Sequence, residues 1–284
     1  MCKYISMKVQ NKPGFTGMPG KPQTVVQPLW SVHKGHNPLF ATALHCGHEL
    51  RKELQKLLLL DEATQLREED PYTDYLATVA STRILPRRSR FEVDLNRARG
   101  EAVYLRPEDA WGLELWREPP DEEVIEHSLE EYDAFYAEAK QLLDELEFHY
   151  GRFVIFDLHS YNYRRGGPDA TPEDPATHPD VNVGTGTLDR TRWGPLIDRF
   201  IADLSRFDFL GHYLDVRENV KFRGRQFAAW VHGNYPETGC VLSLEFKKFF
   251  MDEWSGELDV EQLQALHEAL LSTLPGIAEE MERL

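Results

Sequence analysis

Apolar and polar positions along the chain follow two periods. Over residues 123–150 the apolar positions Val124, Ile125, Leu129, Tyr132, Phe135, Tyr136, Ala139, Leu142, Leu143 and Leu146 recur every three or four residues, the spacing of one helix face. This predicted helix feeds FVIFDLHSY, whose unbroken apolar start is that of a strand buried on both faces. A long helix delivering the chain into a buried strand is the connection of a mainly parallel α/β sheet. LFATALH, residues 39–45, reads as another strand, and the leucines of HELRKELQKLLLL behind it predict a helix. FEVDLNR is expected to be a strand after the arginine-rich turn LPRRSR. Further on, WGPLIDRFIADLSRF predicts a helix, HYLDVRENV a strand or extended segment and GCVLSLEFKKFF a strand. The last stretch, DVEQLQALHEALLSTLPGIAEEMERL, is expected to be helical until Pro275 interrupts it.

Two stretches break this rhythm. Residues 1–30 carry Gly, Pro, Lys and Gln without apolar periodicity and are expected to form a loosely held arm. The segment RRGGPDATPEDPATHPDVNVGTGT, residues 164–187, is too long and polar for an ordinary connection and is expected to form a loop over a site. With no repeat and no recognisable linker, residues 31–284 read as a single catalytic domain. At 284 residues and 41% hydrophobic content the chain can bury a substantial core.

Charge narrows the partners. With 48 acidic against 32 basic side chains the net charge is -16, which disfavours broad attraction to nucleic acid or anionic lipid. No apolar run is long enough to cross a bilayer, and the first residues lack a secretion signal's apolar core, so a cytoplasmic location is expected. Cys2, Cys46 and Cys240 are too few and scattered for a disulfide framework or a cysteine-only zinc site.

Candidate chemistry gathers at strand ends, where open α/β sheets form ligand sites. His45 and His159 each terminate a predicted strand, and a hydrolytic zinc is held by histidine nitrogens and a carboxylate. The third ligand is left open among His48, Glu49, Glu69, Asp70 and Asp74. Arg90, Asn96 and Arg97 offer a guanidinium fork and an amide to an anionic substrate. Glu245, among apolar neighbours in VLSLEFKK, has the setting that raises a carboxyl pKa toward neutrality, as a general base requires. Each has a plainer reading: a satisfied polar strand end, a solvated charge run, a helix cap at Asp70, or a glutamate paired with Lys247 or Lys248.

FDLHSY resembles the strand of zinc carboxypeptidases that supplies the last histidine ligand, followed by a serine; DLNR is similar to their Asn-Arg pair and SLEF to their glutamate strand. The N-formylglutamate amidohydrolase family is a closer match. It resembles this chain in HCGHE, EEDPYTD, RFEVDLNR, the Asp-x-His-Ser strand, PDVNVGTGTLD, NVKFRG and the late glutamate strand, in that order from residue 39 to 248. The resemblance implies a three-layer, mainly parallel mixed sheet with helices on both faces, of the zinc carboxypeptidase or phosphorylase-hydrolase type. It further implies one zinc ion, or another divalent metal, on His45, His159 and Asp70; the sequence departs from better known members in HCGHELRKEL, where His48 and Glu49 add two further candidate ligands. Glu245 would be the base, Arg90, Asn96 and Arg97 the substrate grip with Arg97 also in the catalytic set, Ser160 a substrate contact, and Asn219 and Gly224 part of the pocket's loop. The implied activity is hydrolysis of an N-acyl, formyl-type amide of an acidic amino acid such as N-formylglutamate. The alternatives are a carboxypeptidase-like hydrolase of peptides and a non-catalytic carboxylate-binding protein. The expected partner is a small anionic N-acyl amino acid, and homo-oligomerisation is compatible with all three readings.

Overall fold

The computed structural model describes residues 28–284. Its elements in chain order are β1 (Trp30–His33), β2 (Leu39–Thr42), α1 (Lys52–Leu57), α2 (Glu62–Glu68), α3 (Thr73–Leu76), β3 (Thr82–Pro86), α4 (Glu122–Tyr150), β4 (Phe153–Tyr161), β5 (Val181–Gly184), α5 (Arg190–Arg206), β6 (Val216–Glu218), α6 (Gln226–Asn234), β7 (Gly239–Lys247) and α7 (Val260–Arg283). The seven strands form one mixed sheet in the order β1-β3-β2-β4-β7-β5-β6. The pairs β3–β2, β2–β4, β4–β7 and β5–β6 are parallel, and β1–β3 and β7–β5 antiparallel. The arm expected over residues 1–30 lies outside the described residues as far as 27, and Trp30 already opens β1.

Alternation along the central strands sorts side chains onto two faces. On one, Leu39, Ala41, Val154, Phe156, Leu242 and Leu244 pack with Trp193, Ile197 and Phe200 of α5 and Leu266 and Leu270 of α7. On the other, Phe40, Phe153, Ile155 and Val241 pack with Phe135, Leu142 and Leu143 of α4 and Phe227 and Val231 of α6. This is the three-layer α/β arrangement. Each buried Val, Leu, Ile or Phe among them contributes about 1.5–3 kcal/mol of transfer free energy. The helices start where the sequence supplies caps: Asp121 accepts from Val124 N at 2.9 Å ahead of α4 and Asp259 from Gln262 N at 3.0 Å ahead of α7. Gly151, at φ +73°, ends α4 and turns the chain into β4. Among the described residues no helix is long and apolar enough to cross a membrane.

Three expectations need correction. FEVDLNR is not a strand: the strand is TRILP just before it, and β1 already occupies that strand's outer edge. The alternation in FEVDLNR has another cause, since Phe91 enters one apolar cluster while Val93 and Leu95 enter another. The polar segment 164–187 is not all loop, because Val181–Gly184 is β5, buried and antiparallel to β7. The last helix is not stopped by Pro275, and α7 runs through it to Arg283. Proline interrupts by removing a donor and crowding the carbonyl four residues back, here that of Leu271, whose side is exposed and open to water. Leu266 and Leu270 before Pro275 and Ile277 after it pack on the same core and hold the helix together.

Candidate active site

The parallel strands β2, β3, β4 and β7 end on one edge of the sheet, and the polar residues singled out in the sequence lie along it. In β4 the residues facing α4 and α6 change from Phe153 and Ile155 to Asp157 and His159, and in β7 from Val241 to Ser243 and Glu245. His159 pairs with Glu245 and Asp157 with Ser243 across the two strands. His45 follows β2, and Arg90, Asp94 and Asn96 lie in the irregular chain after β3.

His45, Asp70 and His159, all buried, converge. His45 Nδ1 lies 3.1 Å from Asp70 Oδ2, His159 Nδ1 lies 3.2 Å from the same oxygen, and the two Nδ1 atoms are 3.2 Å apart. The far nitrogens face other carboxylates: His45 Nε2 is 2.7 Å from Asp94 Oδ1 and His159 Nε2 2.9 Å from Asp157 Oδ1. A carboxylate accepts, so each Nε2 carries the hydrogen it donates and the neutral ring keeps its lone pair on Nδ1. Two lone pairs and a carboxylate oxygen then point at one another, an arrangement that repels itself unless a cation lies among them. Ligands at 2.0–2.1 Å in a tetrahedron stand about 3.3 Å apart, close to the spacing here. The residues therefore fit a divalent metal.

The electrostatics agree. Burial alone would raise the Asp70 carboxyl, but the hydrogen bonds and charges of His159 and His45 outweigh it and hold it well below the usual carboxylate range. Burial likewise opposes His159 in its charged form, yet the Asp157 carboxylate and the bond to Asp70 lift it well above an ordinary imidazole, so a proton is held where a cation would sit. Asp94 is depressed against its burial by His45, Arg90 and Tyr104. Glu245, partly buried beside this group, is raised to about 7, chiefly by burial.

A cleft opens over the cluster, lined among others by Arg90, Asn96, Ser160, Arg165, Arg225, Glu245 and Lys248. Arg90 bonds Asp94 at 3.0 Å and Tyr104 at 3.1 Å. Asn96 Nδ2 contacts His159 Nε2 at 3.2 Å, and its Oδ1 accepts from Phe227 N at 3.1 Å. Ser160 Oγ lies 3.5 Å from Asp70 Oδ1. From the segment 164–187, Arg165 reaches Glu68 at 3.2 Å across the cleft mouth.

Other residues named from the sequence stand apart. His48 is half-exposed and bonds Glu69 at 2.6 Å, and Glu49 pairs with Arg87 at 2.8 Å, so neither joins the cluster. Glu69 is taken by His48, Gln65 and Ser89. Arg97 does not line the cleft and donates to the Asp109 carbonyl at 2.7 Å. Asn219 is likewise outside it, at φ +55°, tying Thr185 through N at 2.9 Å. Its neighbour Gly224, at φ +85°, lies so close to Gly184 that a Cβ on the latter would come within 2.6 Å of Gly224 N.

Asp94, Asp157 and Arg225 have no role in the sequence reading, and Lys248 only that of a partner for Glu245, whereas its Nζ donates to the carbonyls of Arg67 and Glu69. The first two lie inside quoted motifs, DLNR and FDLHSY, and their signal was there: a buried ligand imidazole needs an acceptor behind it.

Residues 37–250 match the N-formylglutamate amidohydrolase family. A search of curated proteins gives no significant match. Among solved structures, an N-formylglutamate amidohydrolase from Ralstonia eutropha JMP134 has the same fold, with TM-score 0.69, 17% identity, and coverage of 89% of this chain and 98% of that one. A gene product of Agrobacterium tumefaciens aligns with TM-score 0.61, 18% identity, and coverage of 89% and 97%. At such identities the likeness speaks for the fold, whereas the family match spans most of the sequence and takes in every strand-end residue described above. The chain belongs to the N-formylglutamate amidohydrolase family.

Proposed function

We propose that the protein is a metal-dependent amidohydrolase that cleaves an N-acyl, formyl-type amide of an acidic amino acid such as N-formylglutamate. The observation that carries this reading is the meeting of His45 Nδ1, His159 Nδ1 and Asp70 Oδ2 at 3.1–3.2 Å, beside Glu245, in a chain of this family. These three residues would hold one ion, and two imidazoles with a carboxylate suit zinc. Once bound, such an ion polarises a carbonyl and lowers the pKa of water.

The protein's own residues do the rest. Asp94 and Asp157 hold the imidazoles in the tautomer that presents Nδ1, and Arg90 supports that arrangement by its bond to Asp94. Glu245 takes the proton of the attacking water as its oxygen bonds the acyl carbon, then hands it to the nitrogen as the C–N bond breaks. A carboxyl raised to about 7 can accept and return a proton near neutrality. Ser160, lining the cleft, is placed to hydrogen-bond substrate. Arg97, held on the Asp109 carbonyl outside the cleft lining, is assigned no step in this reading.

Glu245→Gln keeps the size of the side chain and removes its basicity. It is expected to retain bound metal and to lose roughly 10²- to 10⁴-fold in kcat on N-formylglutamate. Turnover at the wild-type rate would remove Glu245 from the role of base.

A further inference from the structure

The cleft contains one cation that no side chain or backbone group among the described residues engages. Arg90 is committed to Asp94 and Tyr104, Arg165 to Glu68, and Lys248 Nζ to the carbonyls of Arg67 and Glu69 at 2.6 Å each. Arg225, exposed and lining the same cleft, has no side-chain hydrogen bond or ion pair among the described residues. Its backbone is nonetheless held firmly. Immediately before it Gly224 is packed against Gly184, with Ser243 Oγ 3.1 Å from where a Cβ would stand, and two residues later Phe227 N donates to Asn96 Oδ1 at 3.1 Å. An unpaired guanidinium on a fixed backbone, facing a cleft that also holds Glu245 and the His45–Asp70–His159 group, has the chemistry of a carboxylate receptor.

We propose that Arg225 is the residue that anchors a carboxylate of the substrate and so selects N-acyl amino acids bearing one. This rests on the amidohydrolase reading above and deepens it. Asn96 is a weaker anchor: its oxygen already accepts from Phe227 N, and its uncharged amide nitrogen offers no guanidinium fork. Arg225 binds and orients through a planar fork that a carboxylate fills with two parallel hydrogen bonds.

Two measurements on wild type, Arg225→Gln and Arg225→Lys test it. Calorimetric titration with glutarate, a dicarboxylate that cannot be hydrolysed, is expected to show binding weakened roughly ten- to hundred-fold in Arg225→Gln and partly restored in Arg225→Lys. Equal affinity in wild type and Arg225→Gln, or no binding of glutarate by wild type, would overturn the anchor. In turnover, wild type should prefer N-formylglutamate over its uncharged diamide, and Arg225→Gln should lose that preference, with a raised KM for N-formylglutamate. An unchanged preference would also overturn it. Should wild type hydrolyse neither amide while glutarate binding still depends on Arg225, the amidohydrolase reading fails and the anchor stands.

Discussion

Two imidazole lone pairs and a carboxylate oxygen 3.1–3.2 Å apart form a stable group only around a positive charge. What holds them in that arrangement is the second carboxylate behind each ring. Asp157 shows this most simply, because among the described residues its side chain bonds only His159 Nε2 at 2.9 Å and Ser243 Oγ at 3.1 Å. Asp157→Asn retains an acceptor but loses the charge, and it is expected to weaken metal affinity about 10- to 100-fold. Competition against a chromophoric chelator measures this, and an affinity equal to wild type would contradict the role given to Asp157. His45, His159 and Glu245 could be read from the sequence because each ends or interrupts an apolar run, where a polar side chain has few other reasons to sit. Spacing alone does not tell Asp70 from Glu69 or Asp74, because the choice depends on how the chain turns after α2; the family resemblance is what singles it out in the sequence. Arg225 was invisible for a different reason: its significance is the lack of a partner among the described residues, and partners are a property of three dimensions.

Elements bring these residues together, and the connection after β7 matters most. Lys248 is buried, and its Nζ donates to the carbonyls of Arg67 and Glu69, so it pins the end of α2 and the residue just before Asp70. Burial pushes its pKa down to about 8, and the neutral amine still has two hydrogens for the two carbonyls. Lys248→Met keeps the length of the side chain and leaves those carbonyls without a donor, an expected loss of about 2–4 kcal/mol in urea unfolding. A change within about 0.5 kcal/mol would show that the clamp carries no stability. The long helix α4 and the strands β4 and β7 were legible because their apolar periods are long and unbroken. The shorter pieces were not: β5 is four residues inside a Gly/Pro/Asp-rich segment, α6 gave no clear period, and FEVDLNR alternates because its apolar residues enter two different clusters.

At the scale of the whole molecule, the parallel strands aim their carboxyl ends at one edge, and the sequence order of the motifs becomes a ring around a single point. A chain of net charge -16 collects Arg90, Arg165, Arg225 and Lys248 in that cleft against Glu68, Asp70 and Glu245, which favours the entry of a small anion. The proposed hydrolysis depends on the three convergent side chains holding one ion. Elemental analysis of the purified protein and of His159→Ala, each equilibrated with zinc and desalted, tests this most directly. One ion per chain in wild type and none in a folded His159→Ala protein is the predicted result; a metal-free wild type, or equal metal in both, would contradict it.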